Sequence, residues 1–171
     1  MEIPAYDQLT SEARARLDNV NSAIVQKFYA RGYSELHLPI LQPARLYLDT
    51  AGEEVRDQMY FFDDPVGTPL CMRADLTLPL CAKVLAERRS FPARLYSHGP
   101  VFRFEGVGAR VPSQSLQCSL ENLGSSDSIG TEIEVLTIAR SAIDCGNTTE
   151  ITIELGELSL LGAFVEDVLF V

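Results

Sequence analysis

The chain has 171 residues, 46% of them apolar, and a net charge of −10 from 24 acidic and 14 basic side chains. That supplies one ordinary domain with a packed core, or part of a larger one, and the acidic balance disfavours broad binding to a nucleic-acid backbone. No apolar stretch approaches ~18 residues and no basic segment precedes an apolar run at the N-terminus, so neither a membrane span nor a signal peptide is expected, and a cytoplasmic location is the default.

Residues from about Ser11 to Arg31 predict a helix, because Leu17, Val20, Ile24 and Phe28 recur at spacings of three and four. Gly32 sits where a left-handed C-terminal cap belongs. Ser34 to Leu38 reads as a strand ended by Pro39 and Pro43, and the pattern from Ala44 to Gln58 leaves helix and loop open. Met59 to Phe62 reads as a short strand, Asp63 to Thr68 has turn chemistry, and Leu70 to Arg73 is the returning strand. Asp75 or Thr77 can cap the next helix, which tolerates Pro79 in its first turn and ends in Glu87-Arg-Arg89.

After Pro92 a strand begins at Ala93. The stretch from Arg94 to Glu105 places Arg103 and Glu105 on one strand face, and Gly106, Gly108 and Pro112 mark a loop before a second strand with Gln117 and Glu121. A helix is expected over Ser128 to Ile143, capped by Asp127, with Ile129, Ile133, Leu136 and Ile143 as its apolar stripe. Glu150 to Leu155 alternates like a half-buried strand, and Ser159 to Val171 reads as a further apolar helix. Hairpins mixed with long helices predict an α+β fold with a mainly antiparallel sheet. Glycine-rich phosphate loops are absent.

Arg103, Glu105, Gln117 and Glu121 form a polar set that suits an amino acid. A guanidinium holds a carboxylate by two parallel bonds, and Glu and Gln oxygens accept from an ammonium. Gln117 and Glu121 share a strand face, while Leu116, Cys118 and Leu120 occupy the other. Asp75 and Thr77 can also accept from an ammonium, although one of them serving as a helix cap is the commoner outcome. Arg103 within an apolar strand needs a partner, and Glu105 can be that partner or can flank a ligand with it.

Cys71, Cys81, Cys118 and Cys145 form no C-x-x-C pair, and His37 and His98 lack metal-ligand spacing, so reduced thiols and no metal site are expected. Arg88, Arg89, Arg94, Arg103 and Arg110 lie close in sequence, and scattered surface arginines are at least as good a reading as a basic patch. No nucleophile or general base announces itself, and a lone His98 is more often structural. No catalytic residue and no cofactor is expected.

These residues carry a resemblance. Leu95-Tyr-Ser-His-Gly-Pro-Val-Phe-Arg-Phe-Glu105 resembles motif 2 of class II aminoacyl-tRNA synthetases, in the histidyl-tRNA synthetase branch. Gly32 to Leu41 resembles the motif 1 region with Pro39 at its proline, Met72 to Thr77 the amino-acid-binding segment, and Gln117 to Gly124 the segment that closes around histidine. Within the branch the sequence is similar to the regulatory subunits of ATP phosphoribosyltransferase. Asp75-Leu76-Thr77, the Gln117-to-Glu121 segment and Leu155 to Leu161 carry that likeness.

The resemblance implies a class II synthetase-like domain over residues 1–171, read as an N-terminal fragment of a longer chain. It implies a non-catalytic subunit, partnered by a short-form catalytic subunit, with histidine as effector and a homodimer inside a hetero-oligomer. Asp75 and Thr77 would hold the histidine ammonium, Arg103 its carboxylate, and Gln117 and Glu121 would complete the polar wall. Glu105 and Arg110 match nucleotide-binding positions and would be vestigial. The loop from Gly106 to Ser113 departs from a working synthetase loop, Gln42 stands where the branch often has glutamate, and motif 3 has no counterpart. The alternatives are a histidyl-tRNA synthetase fragment or divergent histidine-activating enzyme, and a dimerisation module.

Overall fold

The computed structural model describes residues 10–104, 113–146 and 152, with Glu53 and Glu54 described by backbone alone. Helix α1 spans Ser11–Ala30, and the Thr10 hydroxyl accepts from the Ala13 amide at 3.1 Å. At its other end Gly32 takes a φ of 79°. That turn lets the Gly32 amide reach the Tyr29 carbonyl and the Tyr33 amide reach the Phe28 carbonyl, and Phe28 and Tyr33 are buried in one cluster. Paired bonds of this kind satisfy carbonyls that a helix end otherwise leaves open.

Strand β1 is only Ser34–Glu35, shorter than the periodicity suggests, although the Leu36 amide adds one more bond to the Tyr96 carbonyl. Strand β2 (Leu41–Pro43) leads into α2 (Ala44–Ala51) and a 3-10 turn at Glu53–Gln58, so the ambiguous segment is helical. Strands β3 (Phe61–Asp63) and β4 (Pro69–Met72) form a hairpin. Its turn is held by the Asp64 carboxylate, which accepts from the Val66 and Thr68 amides.

Helix α3 is Thr77–Ala86, β5 is Ala93–Phe102, β6 is Gln114–Leu123 and α4 is Ser128–Ile143. Among the described residues there are two three-stranded sheets, β1-β5-β6 and β2-β4-β3. Only the β1–β5 pairing is parallel. The α+β expectation therefore holds. The segments 150–155 and 159–171, expected as strand and helix, lie outside the described residues.

Strand alternation gives the β5–β6 ribbon two different faces. Ala93 and Leu95 pack with Leu36, Leu80 and Val84 beneath α3. Tyr96 packs with Phe28, Tyr33 and Ile138 beneath α1 and α4, joined by Cys118 and Leu120. The bounds of α4 and its cap are as expected, since the Asp127 carboxylate accepts from the Gly130 amide at 2.9 Å. Its stripe is not. Ile129, Ile133, Leu136 and Ile143 are exposed, and Ile138 is the side chain α4 buries. Ile138, with the small Ala142 beside it, packs against Phe28, Tyr33 and Tyr96, so this face rather than the stripe meets the sheet and α1.

The two sheets meet at Arg73. Strand β1 pairs only with Leu95 and Tyr96, so beyond them β5 has, among the described residues, no strand on that side. Arg73 fills the gap: its carbonyl accepts from the Phe102 amide and its amide donates to the Ile40 carbonyl. Its guanidinium donates to Pro100 O from Nε at 2.8 Å and to Leu38 O from Nη1 at 2.6 Å. A proline is tolerated here because no neighbouring strand needs its amide hydrogen. Gly99 has a φ of 140°, and a Cβ there would stand 2.5 Å from the guanidinium. Close approach of the arginine therefore requires glycine. Among the described residues no helix is long and apolar enough to cross a membrane.

Candidate functional site

The polar face of β5–β6 is built by register. Gln117 lies opposite Gly99, Ser119 opposite Ser97 and Glu121 opposite Leu95. Residues two apart on one strand share a side, so Gln117, Ser119 and Glu121 form a row. Helix α3 brings Thr77 to that row, and its hydroxyl donates to Oε1 of Glu121 at 2.7 Å. Ser119 donates to the same oxygen at 2.6 Å.

Asp75 precedes α3 and is half-buried. Its Oδ1 accepts from the Leu78 amide at 2.8 Å, so it is the residue that caps the helix. The segment carrying it is clamped from outside. The Tyr47 hydroxyl accepts from the Ala74 amide at 3.2 Å and donates to the Asp75 carbonyl at 3.3 Å. Burial pushes the Tyr47 phenol well up from its usual range, so it stays a neutral hydroxyl that can serve both roles. Cys81 lies one turn beyond Thr77, and its thiol is pushed up by burial and then by the nearby Glu121 and Asp75 carboxylates.

Arg103 differs from the sequence expectation. Strand β5 ends at Phe102, and Arg103 lies one residue past it, exposed, with Nε donating to the Ala74 carbonyl at 2.8 Å. It is tied to the segment before Asp75 rather than buried in the strand. The buried arginine is Arg73, 3% exposed. Glu105 and Arg110 lie outside the described residues.

Donor and acceptor accounting gives the face its character. A hydroxyl has one proton. Thr77 and Ser119 spend theirs on Glu121 and present only lone pairs outward. Gln117 Oε1 is buried with no hydrogen-bond partner among the described residues, a costly state for an amide oxygen. The row is therefore a wall of acceptors, which suits an ammonium or an imidazole N–H. The exposed guanidinium of Arg103, held by the Ala74 carbonyl, suits a carboxylate.

Sequence reading missed Arg73, Tyr47 and Ser119. Ser119 was reachable, because alternation alone places it between Gln117 and Glu121 on their face. Arg73 and Tyr47 act through backbone carbonyls and amides distant in sequence, which carry no signal in residue spacing. Of the clustered arginines, Arg94 pairs with Glu134 and Arg89 with Glu87, which favours the scattered reading. His98 sits between Glu35 at 3.2 Å and Asn21 at 3.2 Å, in a structural role. The four cysteines are free thiols, and Cys71 is pushed to about 11 by burial. Among the described residues no side-chain group suits a metal ion.

Comparison with known proteins places this arrangement. The family described as histidyl-tRNA synthetase matches residues 5–170. The chain is 31% identical over 120 residues to an ATP phosphoribosyltransferase regulatory subunit of Agrobacterium fabrum, covering 70% of this chain and 31% of that protein. It is 28% identical over 153 residues to a protein of the same name from Brucella ovis, covering 89% of this chain and 40% of that one. The chain thus spans about a third to two fifths of the length of these curated relatives.

Among solved structures, an ATP phosphoribosyltransferase regulatory subunit/histidyl-tRNA synthetase from Bacillus halodurans superposes with a TM-score of 0.80 at 22% identity, covering 99% of this chain and 44% of that one. The apo histidyl-tRNA synthetase of S. aureus gives 0.62 at 19% identity, covering 78% and 35%. At such identities the likeness is one of fold, a class II synthetase-like one. With the family match running almost end to end, the chain belongs to the histidyl-tRNA synthetase family.

Proposed function

We propose that this chain is part of a non-catalytic regulatory subunit of ATP phosphoribosyltransferase that binds histidine and reports its level to a separate catalytic subunit. The observation that carries the reading is the acceptor wall of Thr77, Ser119 and Glu121 beside the unpartnered Gln117 oxygen. It suits an amino-acid ligand. The names of the curated relatives supply the regulatory role. Asp75 adds negative charge near the ammonium while capping α3, and Arg103 takes the carboxylate. Feedback of this kind is a coupling free energy, so histidine must favour one state of the complex over another. In such an assembly the chain pairs with a second copy of itself and with a short-form catalytic subunit.

The test is titration of the full-length protein with L-histidine, followed by an activity assay with the catalytic subunit. Stimulation by this protein that histidine reverses is expected. A full-length protein that neither binds nor stimulates the catalytic subunit sinks the reading. A second reading, a histidine-activating enzyme, is favoured by the synthetase-like fold, and histidine-dependent ATP–pyrophosphate exchange would support it instead.

A further inference from the structure

Resting on that amino-acid reading of the site, we infer that Ser119 is a positioning residue which, with Thr77, leaves Glu121 one open oxygen and so tunes the site to single-point donors over forked ones. Ser119 is 7% exposed. Its hydroxyl lies 2.6 Å from Oε1 of Glu121, and the Thr77 hydroxyl lies 2.7 Å from the same atom. The two hydroxyls are 3.4 Å apart. Each has one proton, and a carboxylate is a stronger acceptor than a neutral oxygen. Both protons therefore go to Oε1, and the longer contact holds none.

A carboxylate oxygen offers about two lone-pair sites. Two hydroxyl donors fill Oε1. Among the described residues no hydrogen bond reaches Oε2, which remains for a ligand. An ammonium or a lone imidazole N–H needs one acceptor. A guanidinium is a planar fork whose parallel N–H groups match both oxygens of a carboxylate, and here it would forfeit one of its two bonds.

The molecule contains the contrasting case. Glu134 receives the Arg94 fork on both oxygens, at 2.9 and 2.5 Å. The difference between the two glutamates is not their charge but what already occupies their oxygens. Ser119 is placed to occupy one because it sits two residues before Glu121 on the same face, and Thr77 because it opens α3 above that row.

The experiment is calorimetric titration of the full-length protein and of Ser119→Ala, Thr77→Val and the double variant, with L-histidine and L-arginine as probes. The wild type is expected to prefer histidine. Each single variant should weaken histidine by about 2- to 10-fold, the equivalent of one hydrogen bond. The double variant should raise the arginine-to-histidine affinity ratio by about 10-fold, because both oxygens become open to the fork. A purely structural role would change thermal stability and leave that ratio alone. Thr77 is exposed, so Thr77→Val keeps the test valid if Ser119→Ala fails to fold. Where the wild type binds histidine, an unchanged ratio in the variants that fold overturns this inference alone. Absence of histidine binding by the wild type overturns the site reading and the inference with it.

Discussion

Glu134, on α4 against one face of the β5–β6 ribbon, and Glu121, on β6 at the other face, show what separates a structural carboxylate from one left for a ligand. Glu134 is closed. Arg94 takes both its oxygens while also reaching the Arg31 carbonyl, its guanidinium stacks 4.3 Å from the Tyr33 ring centre, and the Tyr33 hydroxyl adds a bond at 3.3 Å. The result ties α4 to β5 and to the end of α1. Glu121 is half-closed, with two hydroxyls on one oxygen and, among the described residues, nothing on the other. Satisfied networks rigidify a fold, whereas an acceptor left open on a half-buried face is useful only to something that arrives later.

The largest expected effect comes from breaking the floor behind the open site. Gly99→Ala would force a side chain into a left-handed backbone conformation and against the Arg73 guanidinium. Strain plus loss of the arginine's carbonyl contacts should cost about 3 kcal/mol or more. Urea unfolding measures this, and a loss below about 1 kcal/mol would mean that Arg73 moves aside freely.

Next is Glu121→Gln, which keeps the size of the side chain and removes its charge. Histidine affinity should fall about 10- to 100-fold, the range for a charge-assisted hydrogen bond, with little change in unfolding midpoint. Glu134→Gln should do the reverse, lowering stability and leaving affinity alone. Equal behaviour of the two variants would erase the contrast between the sites.

The Arg94–Glu134 clasp is partly solvated, so a double-mutant cycle between Arg94→Met and Glu134→Gln should give a coupling of about 1 kcal/mol. Its pH dependence has a defined sign. The hydrogen bond from Arg94 holds the Glu134 carboxyl below its ordinary value of 4.5. The stabilisation is therefore fully present above the unfolded-state value and is lost as pH falls through the lower folded-state value. Acid unfolding should be less steep in Arg94→Met than in the wild type below about pH 4.5.

The smallest effect on stability is expected at Asp75. Asparagine caps a helix about as well as aspartate, so Asp75→Asn should shift stability by only a few tenths of a kcal/mol, while Asp75→Ala should cost about 1 kcal/mol. A fall in histidine affinity in the asparagine variant would separate the charge from the cap. Unchanged affinity would reduce Asp75 to a capping residue.

Local chemistry was legible where it depends on neighbours in sequence. Asp127 and Gly32 mark helix ends because their side chain or missing Cβ acts within one turn, and Gln117 and Glu121 share a face because strands alternate. Reading failed where a distant partner decides. The stripe on α4 is real, but packing against the sheet selected Ile138 and the small Ala142 instead. Arg103 looked buried because its neighbours are apolar, yet β5 ends one residue earlier and Arg73, just past the end of β4, takes the buried position.

By itself the sequence determined the order of helices and hairpins, the α+β class and the types of polar group on one strand face, since these follow from periodicity, caps and alternation. Only the tertiary structure decided that the Thr77 hydroxyl reaches Glu121 and that Tyr47 and Arg73 hold the site's backbone. Those outcomes depend on hydrogen bonds 27 to 44 residues apart in the chain, and the geometry of such bonds exists only once the two sheets have met.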